Sequence, residues 1–539
     1  MKTLNNLILI IMNRKLIFLL AIIALWSCGD DDEGGDELPM LDLTEIEGFW
    51  TTNTWLRNPT GDVGLLTIEF NAVRGDGEIT ALSDNAWGFT CGEQTFRDLE
   101  PLGFDSFAGE GLIRFVDGSS EWVPTTITMI TRDQISIIFD CGGCSNQALA
   151  MDRLATGAPS SLVIDTDIDT PTTLFNIVCD PTQPDYIVTD LIDVNNLLTI
   201  EPGVIIEFGA NAGMIVDEFG GGAMVAIGTE FDPITFTGQT KTRGFWRGLI
   251  FETNDVRNEL THVIVEYAGS DVIADDIKGG VRGGIAVNVE PGGEAASLRL
   301  TSSTIRENDG YGLIMEWFSQ LREFSDNSFE NNTDAAVLTE AINVGELDAA
   351  TSYRGGNGFE GVEISETSAG NALRDDATWT NFEDGSSYYV SGDIEIEATL
   401  TILPGVLLEF EANTEIFFGV PFNRPEGILI ANGTMLDPIT FSGRQKVPGF
   451  WQGIVIQSTS NQNLMNYCVV EYGGSDAITG GEPANISLDI FNFAPSLTLT
   501  NSTIRDSDGC GVYVQSMDSD FTESGNTYTN NSGGDICGI

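Results

Sequence analysis

From about residue 172 onward the chain repeats itself. Leu198-Thr199-Ile200-Glu201-Pro202-Gly203-Val204-Ile205-Ile206-Glu207-Phe208 returns as Leu400-Thr401-Ile402-Leu403-Pro404-Gly405-Val406-Leu407-Leu408-Glu409-Phe410, 202 residues later. Asp232-Pro233-Ile234-Thr235-Phe236-Thr237-Gly238 returns as Asp437-Pro438-Ile439-Thr440-Phe441-Ser442-Gly443, at an offset of 205. Gly244-Phe245-Trp246-Arg247-Gly248 matches Gly449-Phe450-Trp451-Gln452-Gly453, and Val265-Glu266-Tyr267-Ala268-Gly269 matches Val470-Glu471-Tyr472-Gly473-Gly474, at the same offset. Ser303-Thr304-Ile305-Arg306 matches Ser502-Thr503-Ile504-Arg505. This many blocks in one order means an internal duplication.

Each copy carries a shorter beat of brief strands. Val204, Ile206 and Phe208 point one way and Glu207 the other, the period-two alternation of a half-buried strand. Gly, Asn and Asp mark the corners, as at Asn331-Asn332 and Asn530-Asn531. Such a beat suits coils that stack into a solenoid, each strand pairing with its counterpart in the next coil. The repeated blocks resemble the right-handed parallel β-helix family, and more narrowly the β-helix domains of bacterial surface lipoproteins. The resemblance covers copy one over 172–374 and copy two over 375–539. It implies a fold and little about activity, because this scaffold hosts lyases, hydrolases, adhesins and passive stalks.

Residues 41–157 read as a small antiparallel β domain, a barrel or a sandwich. Leu65-Leu66-Thr67-Ile68-Glu69-Phe70 and Ile135-Ser136-Ile137-Ile138-Phe139 alternate, and Gly-Asp clusters punctuate them. The opening Gly48-Phe49-Trp50 is similar to the start of a lipocalin-like barrel. The expected class is therefore all-β: a small antiparallel barrel or sandwich, then a duplicated parallel β-helix. Residues 158–171 read as a linker. A disulfide is expected from Cys91 to Cys141 or Cys144, and another between Cys510 and Cys537, about one coil apart.

The first residues form an address. Asn13-Arg14-Lys15 precedes an apolar run, Leu16 to Trp26, which is too short to span a bilayer. Met1 and Met12 are alternative starts. Leu25-Trp26-Ser27-Cys28 resembles a bacterial lipobox, which implies a signal peptide over 1–27 and lipid attachment at Cys28. Residues 28–40 hold six carboxylates between Gly29 and Glu37, an acidic, extended tether. It is similar to the surface-export signal of some Gram-negative lipoproteins. That likeness implies an outer-membrane protein facing the cell exterior.

Charge narrows the partners. With 24 Lys and Arg against 81 Asp and Glu the formal charge is −57, which repels nucleic acid. One His leaves little room for a His-based triad or zinc site. A catalytic group normally occurs once, so the duplicated Trp246, Trp451, Tyr267 and Tyr472 read as scaffold. The one enzyme-like cluster is confined to copy one: Asp271, Asp275, Asp276 and Lys278, followed by Arg282. Lys278 and Arg282 are weak catalytic candidates, since a desolvated Lys or a paired Arg can remove a proton beside a carboxylate. Asp271, Asp275, Asp276 and Asp476 are weak ligand candidates for calcium, and no other cofactor is expected. The flanking glycines suggest a mobile loop, and the cluster lies on that loop rather than on stacked coils. The sequence thus favours a surface protein with a non-catalytic binding or structural role, adhesin-like or glycan-contacting, with glycan or another surface protein as its partner. A polysaccharide lyase or glycoside hydrolase is the alternative.

Overall fold

The computed structural model describes residues 41–538 apart from 58–62, 83–88, 116–117, 143–146, 155–159, 218–220, 289–294, 317–318, 367–371, 420–425, 479–480 and 491–492. Cys28 and Cys144 lie outside the described residues.

Alternating apolar residues in the first third need a common interior, and a closed barrel supplies it. Eight antiparallel strands form it: β1 (Gly48–Arg57), β2 (Val63–Asn71), β3 (Asp76–Leu82), β4 (Gln94–Pro101), β5 (Ser106–Arg114), β6 (Ser120–Thr131), β7 (Gln134–Phe139) and β8 (Gln147–Arg153). β1 pairs with both β2 and β8, so the sheet closes on itself. Ile68, Phe70, Phe96, Phe107, Ile137 and Phe139 are fully buried within it. A Cβ on Gly111 would lie 2.5 Å from the Phe139 ring, so side chains fill the interior at that level. At the N-terminal end the buried Trp50 indole donates to Ile46 O (2.7 Å). The Arg153 guanidinium stacks on the same ring at 4.3 Å.

The remainder is a parallel β-helix. In copy one, successive strands visit three faces. Ile205–Phe208 lies on the first face, in an 8-stranded sheet. Gly213–Val216 lies on the second face, in a 13-stranded sheet, and Ala223–Ile227 on the third, in a 6-stranded sheet. Each pairs in parallel with its successor one coil later. Corners use the left-handed region: His262 and its counterpart Tyr467 have φ of 50° and 48°, and Tyr267 and Tyr472 both have 65°. Buried Asn308, Asn332 and Asn357 stack behind one corner, each amide donating to the next carbonyl (2.9 and 3.0 Å).

The two copies share an axis but not a phase. The counterparts of the three strands above are Leu407–Phe410, Glu415–Phe418 and Ile428–Asn432. Leu407–Phe410 continues the 13-stranded sheet, which is the second face of copy one. The 3-10 turn Ala341–Glu346 stands where a third-face strand is due. Phe359–Ile364 then closes the second face of copy one and pairs directly with Ser387–Val390 of copy two. Copy two is therefore turned by one face about the solenoid axis.

Two expectations are corrected. The segment read as a linker already holds a solenoid strand, Leu162–Ile164, paired with Tyr186–Val188. Cys91 is joined to Cys179, not to Cys141 or Cys144; Cys141 is itself disulfide-bonded. The reason lies in the first coil. The buried carboxylate of Asp185 accepts from the amides of Ile177, Val178 and Ile205 (2.7, 2.7 and 2.8 Å) and so shapes the loop. That loop brings Cys179 N to Thr80 O at 3.0 Å, against the barrel wall. Cys510 and Cys537 are joined across one coil, and Cys468 is a buried free thiol in the core. The Cys91–Cys179 bond closes a separation of 88 residues. Cys179→Ser is expected to cost about 2–4 kcal/mol and to let the barrel melt before the solenoid in calorimetry. A single, unshifted transition would count against this.

Candidate functional site

The duplicated residues sort themselves first. Phe208 stacks on Trp246 with centroids 4.0 Å apart, and Phe410 on Trp451 at 4.1 Å. Both indoles are buried and donate to Glu266 O and Glu471 O, each at 2.8 Å. Neither is available to stack on a sugar. Lys241 binds Glu207 at 3.0 Å, and Lys446 binds Glu409 at 3.1 Å. Arg306 binds Glu266 at 2.8 Å, and Arg505 binds Glu471 likewise. The same bonds made twice hold the same coils twice.

The outward column of the 13-stranded sheet separates the copies. In copy one it reads Ile215, Ile250, Ala286, Ile314, Leu338. It continues as Glu363, Tyr389, Glu409, Ser442, Glu471, Arg505. An apolar outer column needs a cover, and residues 271–282 provide it. Ile273, Ala274 and Ile277 pack on Ile250, Ala286, Ile314 and Leu338 in a second, smaller core. The excursion is thus packed down, which corrects the expectation of a mobile loop. The buried Glu316 carboxylate fixes it by accepting from the amides of Asp276 (3.1 Å) and Ile277 (2.7 Å). Burial pushes Glu316 up to about 7, against these two donors.

The weak catalytic candidates also find partners. Lys278 pairs with Glu363, which stands two strands from Tyr311 in the sheet, and it donates to the Tyr311 hydroxyl at 3.1 Å. Tyr311 in turn donates to the other Glu363 oxygen at 2.9 Å. Burial, and next the Glu363 carboxylate, hold the Tyr311 hydroxyl far above its ordinary range. Arg282 pairs with Asp309 at 2.7 Å. A Lys neutralised by a buried Glu is a latch rather than a free base. The cluster itself lies on one excursion, as the sequence suggested, while its partners Glu363 and Asp309 belong to stacked coils.

Just beyond the latch lies a surface that neither copy makes alone. Phe359 and Tyr389, both half-buried, sit with ring centroids 5.5 Å apart. The Arg444 guanidinium lies over both, 4.0 Å from the Tyr389 centroid and 5.0 Å from that of Phe359. Tyr389 donates to Glu411 at 2.5 Å. The Ala412 amide and this hydroxyl draw the Glu411 carboxyl below its ordinary value. Arg444 is exposed and makes no ion pair among the described residues. Beside Lys278 and Arg282, Asp334 has its carboxyl raised, by burial first and by Glu363 next.

The sequence reading missed Phe359, Tyr389, Glu411 and Arg444. A signal was there. The counterparts of Tyr389, Glu411 and Arg444 are Ile187, Gly209 and Gln239, each next to a residue that matches between the copies. The site is marked by where the duplication fails.

The candidate metal ligands do not converge. Asp271 lies 3.7 Å from Arg247 and accepts from the Val272 amide at 2.9 Å. Asp476 accepts from the Ala477 amide at 2.8 Å. Asp275 is exposed, and the Asp276 amide is held by Glu316. Among the described residues no group of three or more His, Cys, Asp or Glu is placed to hold a metal ion. No protein-family model matches the chain, and comparison with curated proteins and with solved structures gives no match.

Proposed function

We propose that this is a lipid-anchored surface protein of the outer membrane whose β-helix binds glycan without covalent chemistry. One observation carries the reading: the Phe359–Tyr389–Arg444 platform with Glu411 at its edge. An aromatic face accepts the apolar C–H face of a pyranose. Carboxylates accept from hydroxyls, and a guanidinium edge donates to ring and hydroxyl oxygens. Arg444 is exposed over two half-buried rings, Tyr389 is fixed by its bond to Glu411, and copy one carries different residues at the positions of Tyr389, Glu411 and Arg444. Binding is favoured over catalysis because three of the neighbouring carboxylates are already paired. Glu363 holds Lys278, Asp309 holds Arg282 and Glu409 holds Lys446. The N-terminal lipobox and acidic tether support the address, with Cys28 as the acylated residue.

Retention of the full chain on a panel of immobilised polysaccharides tests this. Tyr389→Ala and Arg444→Ala are each expected to weaken retention at least about tenfold, which is ~1.4 kcal/mol. Tyr267→Phe, at a scaffold corner, should leave it unchanged. A panel with no retained glycan, or variants that bind as the parent does, would remove the platform from consideration. The raised carboxyl of Asp334 favours a glycosidase as the second reading, since a general acid must stay protonated. New reducing ends in the same assay, lost in Asp334→Asn, would establish it instead.

A further inference from the structure

Cys91, in the β3–β4 connection, lies beside Ile79 and staples the barrel wall to the solenoid through Cys179. One end of the barrel gathers the β2–β3, β4–β5 and β6–β7 turns, together with the points where the chain enters β1 and leaves β8. There Leu41 N donates to Gly103 O at 3.1 Å, and Met129 N to Asp105 O at 2.8 Å. A Cβ on Gly75 would touch both Leu99 O and the Leu43 side chain, at 3.2 and 3.9 Å. Leu41 and Leu43 thus sit among these turns.

Among the described residues, the barrel's four most exposed large apolar side chains lie at this end. Val73 is 94% exposed, Phe104 61%, Leu102 60% and Ile130 51%. Isolated exposed apolar residues need no explanation, but three on two turns and a fourth at the end of β6, all at one end of a small barrel, do. The carboxylates of these turns and of the entering segment, Asp42, Asp98, Asp105 and Asp133, outnumber the exposed Arg74 and Arg132 and set the kind of surface the apolar side chains can meet. They repel anionic lipid.

We infer that this end of the barrel docks on the bilayer to which the chain is anchored, with Val73, Leu102, Phe104 and Ile130 entering a zwitterionic interface. The inference rests on the lipid-anchor reading and extends it. Between Cys28 and Leu41 lie 12 residues, which reach at most about 40 Å when extended. The tether joins the barrel at the apolar end. A lipid on Cys28 therefore holds these side chains close to the membrane and gives them a high effective concentration there. Four side chains too few to bind from solution then suffice.

The test places an environment-sensitive dye at V73C, F104C or, on the opposite end, F115C. Each labelled full chain is reconstituted on phosphatidylcholine vesicles in two ways. One arm uses the natural lipid on Cys28. The other uses a mature chain, from Gly29, with an N-terminal histidine tag on chelating lipid. The expected result is a blue shift and severalfold protection from aqueous iodide at positions 73 and 104, with none at 115. Anionic lipid should weaken the effect. Labels at 73 and 104 that stay as water-exposed as 115 on the chelating vesicles would overturn the docking inference. A chain that fails to float without the tag, while the tagged chain shows the shift, supports docking and overturns the lipid anchor instead.

Discussion

Lys278→Ala is expected to loosen the excursion over the second face and to cost the fold roughly 3 kcal/mol. The argument is one of charge burial. Glu363 is 6% exposed, and Lys278, 35% exposed, is the cation that neutralises it. Removing the ammonium leaves a buried carboxylate with the Tyr311 hydroxyl as its remaining side-chain donor. Breaking a buried pair from one side typically costs about 3–5 kcal/mol, and the partial exposure of Lys278 places this pair at the low end. Glu363→Gln in the same chain should recover most of the loss, because a neutral amide needs no counter-charge. Urea unfolding measures the energy. Hydrogen exchange at Ile273 and Val281, which now bond across the excursion, should accelerate in the single variant and return in the double one. If Lys278 were a catalytic base, the variant would keep its stability and exchange pattern and lose only turnover.

The same latch shows what was legible beforehand. Local pattern was: the alternation in Val204–Phe208, the repeated Trp246 and Trp451, the Asn corners and the Cys510–Cys537 spacing all follow from neighbours in sequence or from one coil. Partnerships across coils were not. Lys278 and Glu363 are 85 residues apart, and no periodicity links them. Cys179 fell inside the first coil, so it was not matched to a barrel cysteine. The platform was hidden for a further reason. Its register depends on one 3-10 turn, Ala341–Glu346, displacing a strand and turning copy two by a face. That turn has no signature in the flanking repeats, yet it sets Glu363 of copy one against Tyr389 of copy two.

Acidification from about pH 8 to about pH 5 is expected to stabilise the protein. Burial first, and the charges of Asp393 and Asp489 next, push Glu415 up to about 7. Burial pushes Glu346 and Glu316 up to about 7 as well, against the amide of Leu321 in the first case and of Ile277 and Asp276 in the second. A glutamate that ionises near 4.5 when unfolded and near 7 when folded holds the extra proton in the folded state across that interval. Its contribution is complete below about 4.5 and lost above about 7. At ~1.4 kcal/mol for each tenfold difference in proton affinity, one such group is worth on the order of 3 kcal/mol. The formal charge of −57 adds a self-repulsion that falls in the same direction. The gain has a floor, because Glu411 and Asp255 are drawn below their ordinary values and lose their bonds at still lower pH. Melting temperatures followed from about pH 8 to about pH 4 should therefore rise, peak near about 5 and fall. Glu316→Gln keeps a side-chain oxygen for the Ile277 amide but has no proton to lose. It should gain stability over the parent at the alkaline end and lose that advantage as the pH falls, so a constant difference between the two would sink this assignment.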